Sequence, residues 1–290
     1  MKIILFGSTG MLGNYVNAVL RKTNDVRCIN RAEYDIVQDD VSVMNRILSD
    51  VESDDIIINC CGAIPQKNKL TDYKTYILVN TIFAHRLETI ANHRGAHFIH
   101  ITTDCVFDGK SGNYNEQSEH TAQDIYGISK SLGEPESATV IRTSIIGEEL
   151  IAGLPKGTPG KSTSGNAGAF PEQLSGKKSL LEWVISNRGK EINGYTNHYW
   201  NGVTCLTLAN FIKSTIDANM FWKGVQHVYS NNIVSKYNLC CYINEIYDLN
   251  IRVHQYEDKT EKNMTLSGKH EINETIFDQI KDQKNYKVYN

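Results

Sequence analysis

Tyr126 and Lys130 stand four residues apart in the run Y-G-I-S-K, a spacing that stacks both side chains on one helix face. Upstream, the apolar run from His97 ends in Thr102-Thr103 and reads as a buried strand with Thr103 at its carboxyl end. Open α/β sheets keep their chemistry at that end. A hydroxyl, a phenol and an amine meeting there suit protonation of a carbonyl oxygen while a hydride reaches its carbon. A free phenol ionises near pH ~10, and the Lys130 ammonium is expected to favour the phenolate. Cys105 follows Thr103 by two, so on an extended strand end both side chains share a face and Asp104 points away.

A hydride donor needs a cradle, and the N-terminus offers one. The short apolar run Lys2 to Phe6 leads into Gly7-Ser8-Thr9-Gly10-Met11-Leu12-Gly13, then into helical periodicity at Tyr15, Val16, Val19 and Leu20. Glycines there permit a tight turn, close backbone approach to a pyrophosphate and close helix–strand packing, and the helix start offers N–H groups. The spacing is G-x-x-G-x-x-G, and the G-K-[ST] of an ATP-type loop is missing. After the second strand come Asn30 and Arg31, where an acidic residue would bind the adenosine ribose and repel a 2′-phosphate. Arg31 therefore favours NADPH over NADH.

The elements that must hold these groups alternate. Strands are expected at 2–6, 26–30, 55–60, 97–103 and 138–143, with helical patterns after the glycines, at 41–48, at 79–91 and from Tyr126. That alternation predicts an α/β fold, a doubly wound parallel sheet of Rossmann type, with a smaller C-terminal α/β substrate domain. The expected division is a cofactor domain over 1–147 and a mainly substrate-binding part over 148–290, of which about 195–230 returns to the sheet. The stretch 152–178 carries six glycines and three of the five prolines and reads as a flexible loop. The tail from Glu257 is polar and charged.

The bulk numbers narrow the partners. A net charge of −3 over 290 residues gives no general attraction to nucleic acid or anionic membrane. No apolar run approaches a membrane span or a signal peptide, so a cytoplasmic location is expected. Seven cysteines, two adjacent pairs among them, read as reduced thiols, and the nine scattered histidines offer no metal set.

The glycine turn, T-T-D-C-V-F-D-G, Y-G-x-S-K and V-I-R-T-S-I-I-G, in this order, resemble the extended short-chain dehydrogenases/reductases, and among them the dTDP-4-dehydrorhamnose reductase family. The resemblance covers residues 1–147 well and continues more loosely over 179–230. It implies an NADPH-dependent 4-ketoreductase of a nucleotide-diphospho-4-keto-6-deoxyhexose, with a homodimer left open. It makes Gly7, Thr9, Gly10, Met11, Leu12 and Gly13 the pyrophosphate turn and puts Arg31, beside Asn30, at the 2′-phosphate. Asp35 and Ile36 flank the adenine; Cys60, Cys61 and Gly62 line the cofactor, and Asn80 buttresses the site from its helix. Thr103, Tyr126 and Lys130 become the catalytic trio. Asp104, Cys105, Val106, Phe107 and Trp200 fall on the substrate side with Thr103.

Three departures stand out. Ile145 replaces the family's tryptophan after R-T-S, the glycine- and proline-rich stretch is extra, and Cys105 stands where many of these reductases have tyrosine. Bifunctional 3,5-epimerase/4-reductases such as GDP-fucose synthase carry a cysteine there as the base, so Cys105 is a candidate catalytic residue. Its acid partner would come from Lys177, Lys178 or His198. An NADP-binding regulatory subunit, like the β subunit of methionine adenosyltransferase, is the reading from another class.

Overall fold

The computed structural model describes residues 1–149 and 179–288. The expected flexible loop 152–178, with Lys177 and Lys178, lies outside the described residues.

The first half alternates as its sequence requires: β1 (Lys2–Phe6), α1 (Met11–Leu20), β2 (Asp25–Ile29), α2 (Val41–Ile47) and β3 (Ile56–Asn59). Then α3 (Tyr73–Tyr76) runs through a π-turn (Ile77–Ile82) into α4 (Phe83–Arg94), followed by β4 (His97–Thr103), α5 (Ile125–Ser131) and β5 (Thr139–Thr143). The second half holds β6 (Ile145–Ile146), α6 (Leu180–Ile185), β7 (Glu191–Tyr195), β8 (His198–Trp200), β9 (Val203–Thr204) and α7 (Cys205–Asp217). It ends with β10 (Gly224–Ser230), β11 (Val234–Ser235), α8 (Lys236–Tyr247), β12 (Arg252–Tyr256), β13 (Lys262–Asn263), β14 (His270–Ile272) and α9 (Ile276–Asn285).

Seven strands form one parallel sheet in the order β14-β10-β5-β4-β3-β1-β2. Both faces are covered, which is why β1 and β3 read as unbroken apolar runs. Ile3, Leu5, Ile56, Ile58, Ile99 and Ile101 face α1 and α7, through Val16, Val19, Leu208 and Ile212. Their neighbours Ile4, Phe6, Ile57 and Phe98 face the other way, onto Met44, Leu48, Phe83 and Leu87. The chain leaves β1 toward β2 on one side and returns to β3 on the other. A crevice therefore opens beyond the carboxyl ends of β1 and β3, the switch point where such sheets bind ligands.

A second core joins α6, α8, α9 and strands β7 and β8 through Leu181, Trp183, Ile192, Leu239, Ile243, Ile276 and Ile280. Of the stretch expected to return to the sheet, β10 does so, whereas β7 pairs with β12 and β8 with β11 and β13. The polar tail is structured: β14 adds the seventh strand, and α9 is capped by Thr275.

Candidate active site

The glycine turn joins β1 to α1. Gly7 takes φ +81°, a conformation that only glycine adopts without strain, and a Cβ on it would lie 2.8 Å from the Cys60 carbonyl carbon. A Cβ on Gly13 would lie 2.0 Å from Gly7 O, so the helix sits against the turn at a distance only glycine permits. At Gly10 the nearest atom would be Gly7 O at 3.2 Å, so packing alone does not demand glycine there. Gly10 is the N-cap of α1, with no side-chain cap and no acidic residue in the first turn. The opening N–H groups of Met11, Leu12 and Gly13 are thus left for a ligand. Leu12's side chain is core, and Thr9 O accepts from Asn14 Nδ2.

At the end of β2 the chain turns back on itself. Asn30 Oδ1 accepts from Ala32 N at 2.8 Å, and its Nδ2 donates to Glu33 Oε2 at 2.7 Å. The exposed Arg31 guanidinium donates through Nε to Asp35 Oδ2 at 2.9 Å. Partial burial pushes the Asp35 carboxyl up, but the Val37 backbone N–H and Arg31 together hold it below its ordinary range. Ile36 is partly buried against the core on that face of the sheet.

The third wall is the loop after β3. Cys60 N donates to Phe6 O, and Cys61 N donates to Asn59 Oδ1. Burial pushes the Cys61 thiol up to about 12 and Cys60 higher, so both line the crevice as neutral thiols. A Cβ on Gly62 would meet nothing closer than Asn80 Oδ1 at 3.8 Å, leaving room above the loop. Asn80 sits in the π-turn and is 1% exposed. Its Oδ1 accepts from Ala63 N at 2.8 Å, while Nδ2 donates to Ala63 O at 3.0 Å and Ser129 Oγ at 2.9 Å. Ser129 Oγ in turn donates to Tyr126 O at 2.9 Å. One buried amide therefore ties the cofactor loop to the helix that carries Tyr126. A Cβ on Gly133 would fall 1.8 Å from Asn80 O, so α5 must end in glycine to dock here.

The proton-handling groups gather at the end of β4. The strand stops at Thr103, which caps a 3-10 turn over Asp104–Val106 by accepting Cys105 N at 3.2 Å. The turn breaks the alternation expected beyond Thr103. Asp104 is therefore directed inward, against expectation: it is 4% exposed and accepts from Thr103 Oγ1 at 3.1 Å and Cys105 Sγ at 3.6 Å. The Ser144 hydroxyl lies near it and favours its ionised form. The Tyr126 phenol lies beside the Thr103 hydroxyl, which favours its ionised form. α5 brings Tyr126 there because Asp124 caps it through Gly127 N, and because Gly127 allows contact with the turn, where a Cβ would lie 2.3 Å from Cys105 O.

Lys130 is buried one turn further along α5, and its Nζ donates to Ile101 O at 2.8 Å. Burial pulls its pKa down to about 8. The expected stabilisation of the phenolate by Lys130 is not what governs Tyr126. Burial raises the phenol well above its ordinary value, the neighbouring Cys105 adds to this, and the Thr103 hydroxyl opposes it. Tyr126 is accordingly a proton holder, and Lys130 faces the Cys60–Cys61 wall.

Three residues expected on the substrate side are core. Val106 and Phe107 are buried with Tyr114, Tyr229 and Leu266, and Phe107 stacks on Tyr114 with centroids 4.2 Å apart. Trp200 is buried in the second core, with Lys236 Nζ 5.5 Å from its ring centre. In each case the apolar side chain gains more from the protein interior than from a crevice lined with polar groups. His198 is buried beside Tyr195 and pairs with Asp258 at 3.2 Å. The bond of Asn59 Nδ2 to His100 Nδ1 at 3.1 Å, under the cofactor loop, had no signal in the sequence. Neither had the bidentate pair of the buried Arg142 with Glu134, flanked by His120 and His227. Each couples residues far apart in the chain. Among the described residues no group of His, Cys, Asp and Glu is arranged to hold a metal.

A doubly wound sheet with a glycine cradle at its switch point, and a Thr-Tyr-Lys group one strand away, defines the extended short-chain dehydrogenase/reductase class. The family described as RmlD substrate binding domain matches residues 1–149, and the chain belongs to it. A dTDP-4-keto-6-deoxy-D-glucose reductase from Streptomyces niveus is 31% identical over 150 residues, 49% of this chain and 51% of that protein. The chain thus spans about half the length of the curated relatives it matches. The structure resembles a dTDP-4-dehydrorhamnose reductase from Clostridium acetobutylicum with a TM-score of 0.77 at 20% identity, over 98% of this chain and 99% of that one. It also resembles the Bacillus anthracis dTDP-4-dehydrorhamnose reductase in complex with NADP, with a TM-score of 0.73 at 19% identity, over 93% and 92% of the two chains.

Proposed function

We propose that this protein reduces the 4-ketone of a nucleotide-diphospho-4-keto-6-deoxyhexose with NADPH. The observation that carries the reading is the gathering of Thr103, Tyr126 and Lys130 at the carboxyl end of β4, next to the glycine-lined switch point. The residues suit the cofactor. Gly10 offers an uncapped helix start to the pyrophosphate, Gly62 leaves room above the Cys60–Cys61 wall, and Arg31 turns an exposed guanidinium toward a 2′-phosphate. When bound, NADPH supplies the hydride. Thr103 holds the carbonyl oxygen, Tyr126 gives it a proton, and Lys130 reaches the nicotinamide ribose. The homodimer left open by the sequence draws support from the exposed apolar residues Tyr73, Ile82, Ile128 and Leu132 on and beside α3, the π-turn and α5, and sedimentation checks it.

Of the two enzymatic readings, the plain reductase is favoured. Cys105 donates its S–H to Asp104 Oδ1 at 3.6 Å, a bond that holds the proton an epimerase base must give up. The test is a panel of UDP-, dTDP- and GDP-4-keto-6-deoxyhexoses monitored for NADPH oxidation, run in deuterated water. Turnover without deuterium entering the carbons beside the ketone is expected, and Tyr126→Phe should stop it while NADPH still binds. Deuterium at those carbons restores the epimerase reading. No turnover across the panel, with NADPH bound, leaves the regulatory role.

A further inference from the structure

Resting on the reductase reading, we propose that Asp104 is a positioning residue that decides whether Thr103 can donate a hydrogen bond to the substrate's carbonyl oxygen.

A threonine hydroxyl has one proton and two lone pairs. In the structure one lone pair accepts Cys105 N at 3.2 Å, and the proton is directed to Asp104 Oδ1 at 3.1 Å. The Thr103 hydroxyl also lies beside the Tyr126 phenol. With Asp104 ionised, Thr103 has no proton left for a ligand. With Asp104 protonated, the direction reverses. The carboxyl O–H donates to Thr103 Oγ1, which then accepts twice and turns its proton outward. A ketone oxygen can then take one hydrogen bond from Thr103 and one from Tyr126. Tyr126 gives up its proton in the reaction, while Asp104 and Thr103 keep theirs.

The surroundings make both states of Asp104 accessible. Burial favours the neutral carboxyl and is the largest influence. Ser144 after β5, Thr103 and Cys105 on its own turn and the Lys236 ammonium from α8 favour the carboxylate. Tyr126, facing it from α5, is neutral because burial holds its phenol far above the ordinary range. Cys105, against Asp104 Oδ1, and Lys130, drawn down to about 8 by burial, are further titratable groups at the site.

The test has a ligand-free arm and a kinetic arm. Infrared difference spectra between wild type and Asp104→Asn, taken against pH without ligand, read the protonated carboxyl of Asp104 directly. The kinetic arm follows kcat/KM of NADPH oxidation from pH 5 to 9. Wild type is expected to lose activity as pH rises through the infrared midpoint, approaching about tenfold per unit. Asp104→Asn, whose amide donates to Thr103 at every pH, should lose that limb and keep the Lys130 limb. Ser144→Ala removes one donor to the carboxylate and should move the midpoint upward in both arms. An unchanged limb in Asp104→Asn overturns the proposal, as does a carboxyl ionised across the whole range. If Asp104→Asn fails to fold, the Ser144→Ala shift decides alone. If the infrared titration is present but no sugar nucleotide is turned over, the reductase reading fails, and the catalytic role of Asp104 falls with it.

Discussion

Replacing Asn80 by alanine should cost the protein about 2–4 kcal/mol, and the structure shows why. The side chain makes three hydrogen bonds, two of them to the backbone N–H and C=O of Ala63. Ala63 is itself 2% exposed, so truncation strands two backbone groups where bulk water does not reach. Each stranded group costs roughly 1–3 kcal/mol, and water entering the vacated space offsets part of the sum. For a chain of this size about 3 kcal/mol lowers Tm by roughly 6–12 °C. Thermal melts of wild type, Asn80→Ala and Asn92→Ala provide the assay. Asn92 Nδ2 bonds Ser137 Oγ at an exposed site, so its removal should stay within about 0.5 kcal/mol. Ser129 also loses its Asn80 partner, so Tyr126 should lose its fixed position and kcat should fall along with Tm. An Asn80→Ala protein melting within about 2 °C of wild type would refute this account of the π-turn.

Gly13→Ala forces Cβ against Gly7 O and should destabilise by about 3 kcal/mol or more, whereas Gly10→Ala should fold near normally and lose NADPH-induced stabilisation in the same melts. Arg31→Ala should weaken NADPH by about 1–2 kcal/mol and leave NADH unchanged in a fluorescence titration, because Asp35 already holds one donor edge of the guanidinium. Lys130 binds its proton less tightly folded, at about 8, than unfolded, at about 10.4, so between these values the unfolded chain holds more protons and stability rises with pH. Urea melts should show wild type gaining up to about 3 kcal/mol over Lys130→Met across that window, and parallel curves would contradict the shift.

The positions that carry one local job were legible in the chain. Gly7 and Gly13 announce a turn because no other residue fits, and Thr103, Tyr126 and Lys130 announce a strand end and a helix face. The alternation of strands and helices gave the sheet. Legibility failed where a local rule was broken by a cap. Thr103 closes a 3-10 turn on Cys105 N, and that one bond turns Asp104 inward where strand alternation would send it out. It failed again where polarity masked a helix. α9 spends buried positions on Gln279 and Gln283, whose amides satisfy Thr204 N and Leu206 N, so its apolar stripe shrinks to Ile276 and Ile280. Arg142, Glu134, His120 and His227 lie on four separate segments, and nothing in the spacing links them.

The position of β14 has a consequence for how the chain is made. During synthesis β10 can add to β5 as soon as Ser230 has left the ribosome, but its outer edge is paired only when His270–Ile272 emerges. Until then the growing protein presents a row of unsatisfied backbone groups, the kind of edge that recruits a neighbouring chain. Chains cut between Ser230 and His270 would hold most of the crevice and still carry that edge permanently. Their failure in a cell would be aggregation rather than loss of chemistry.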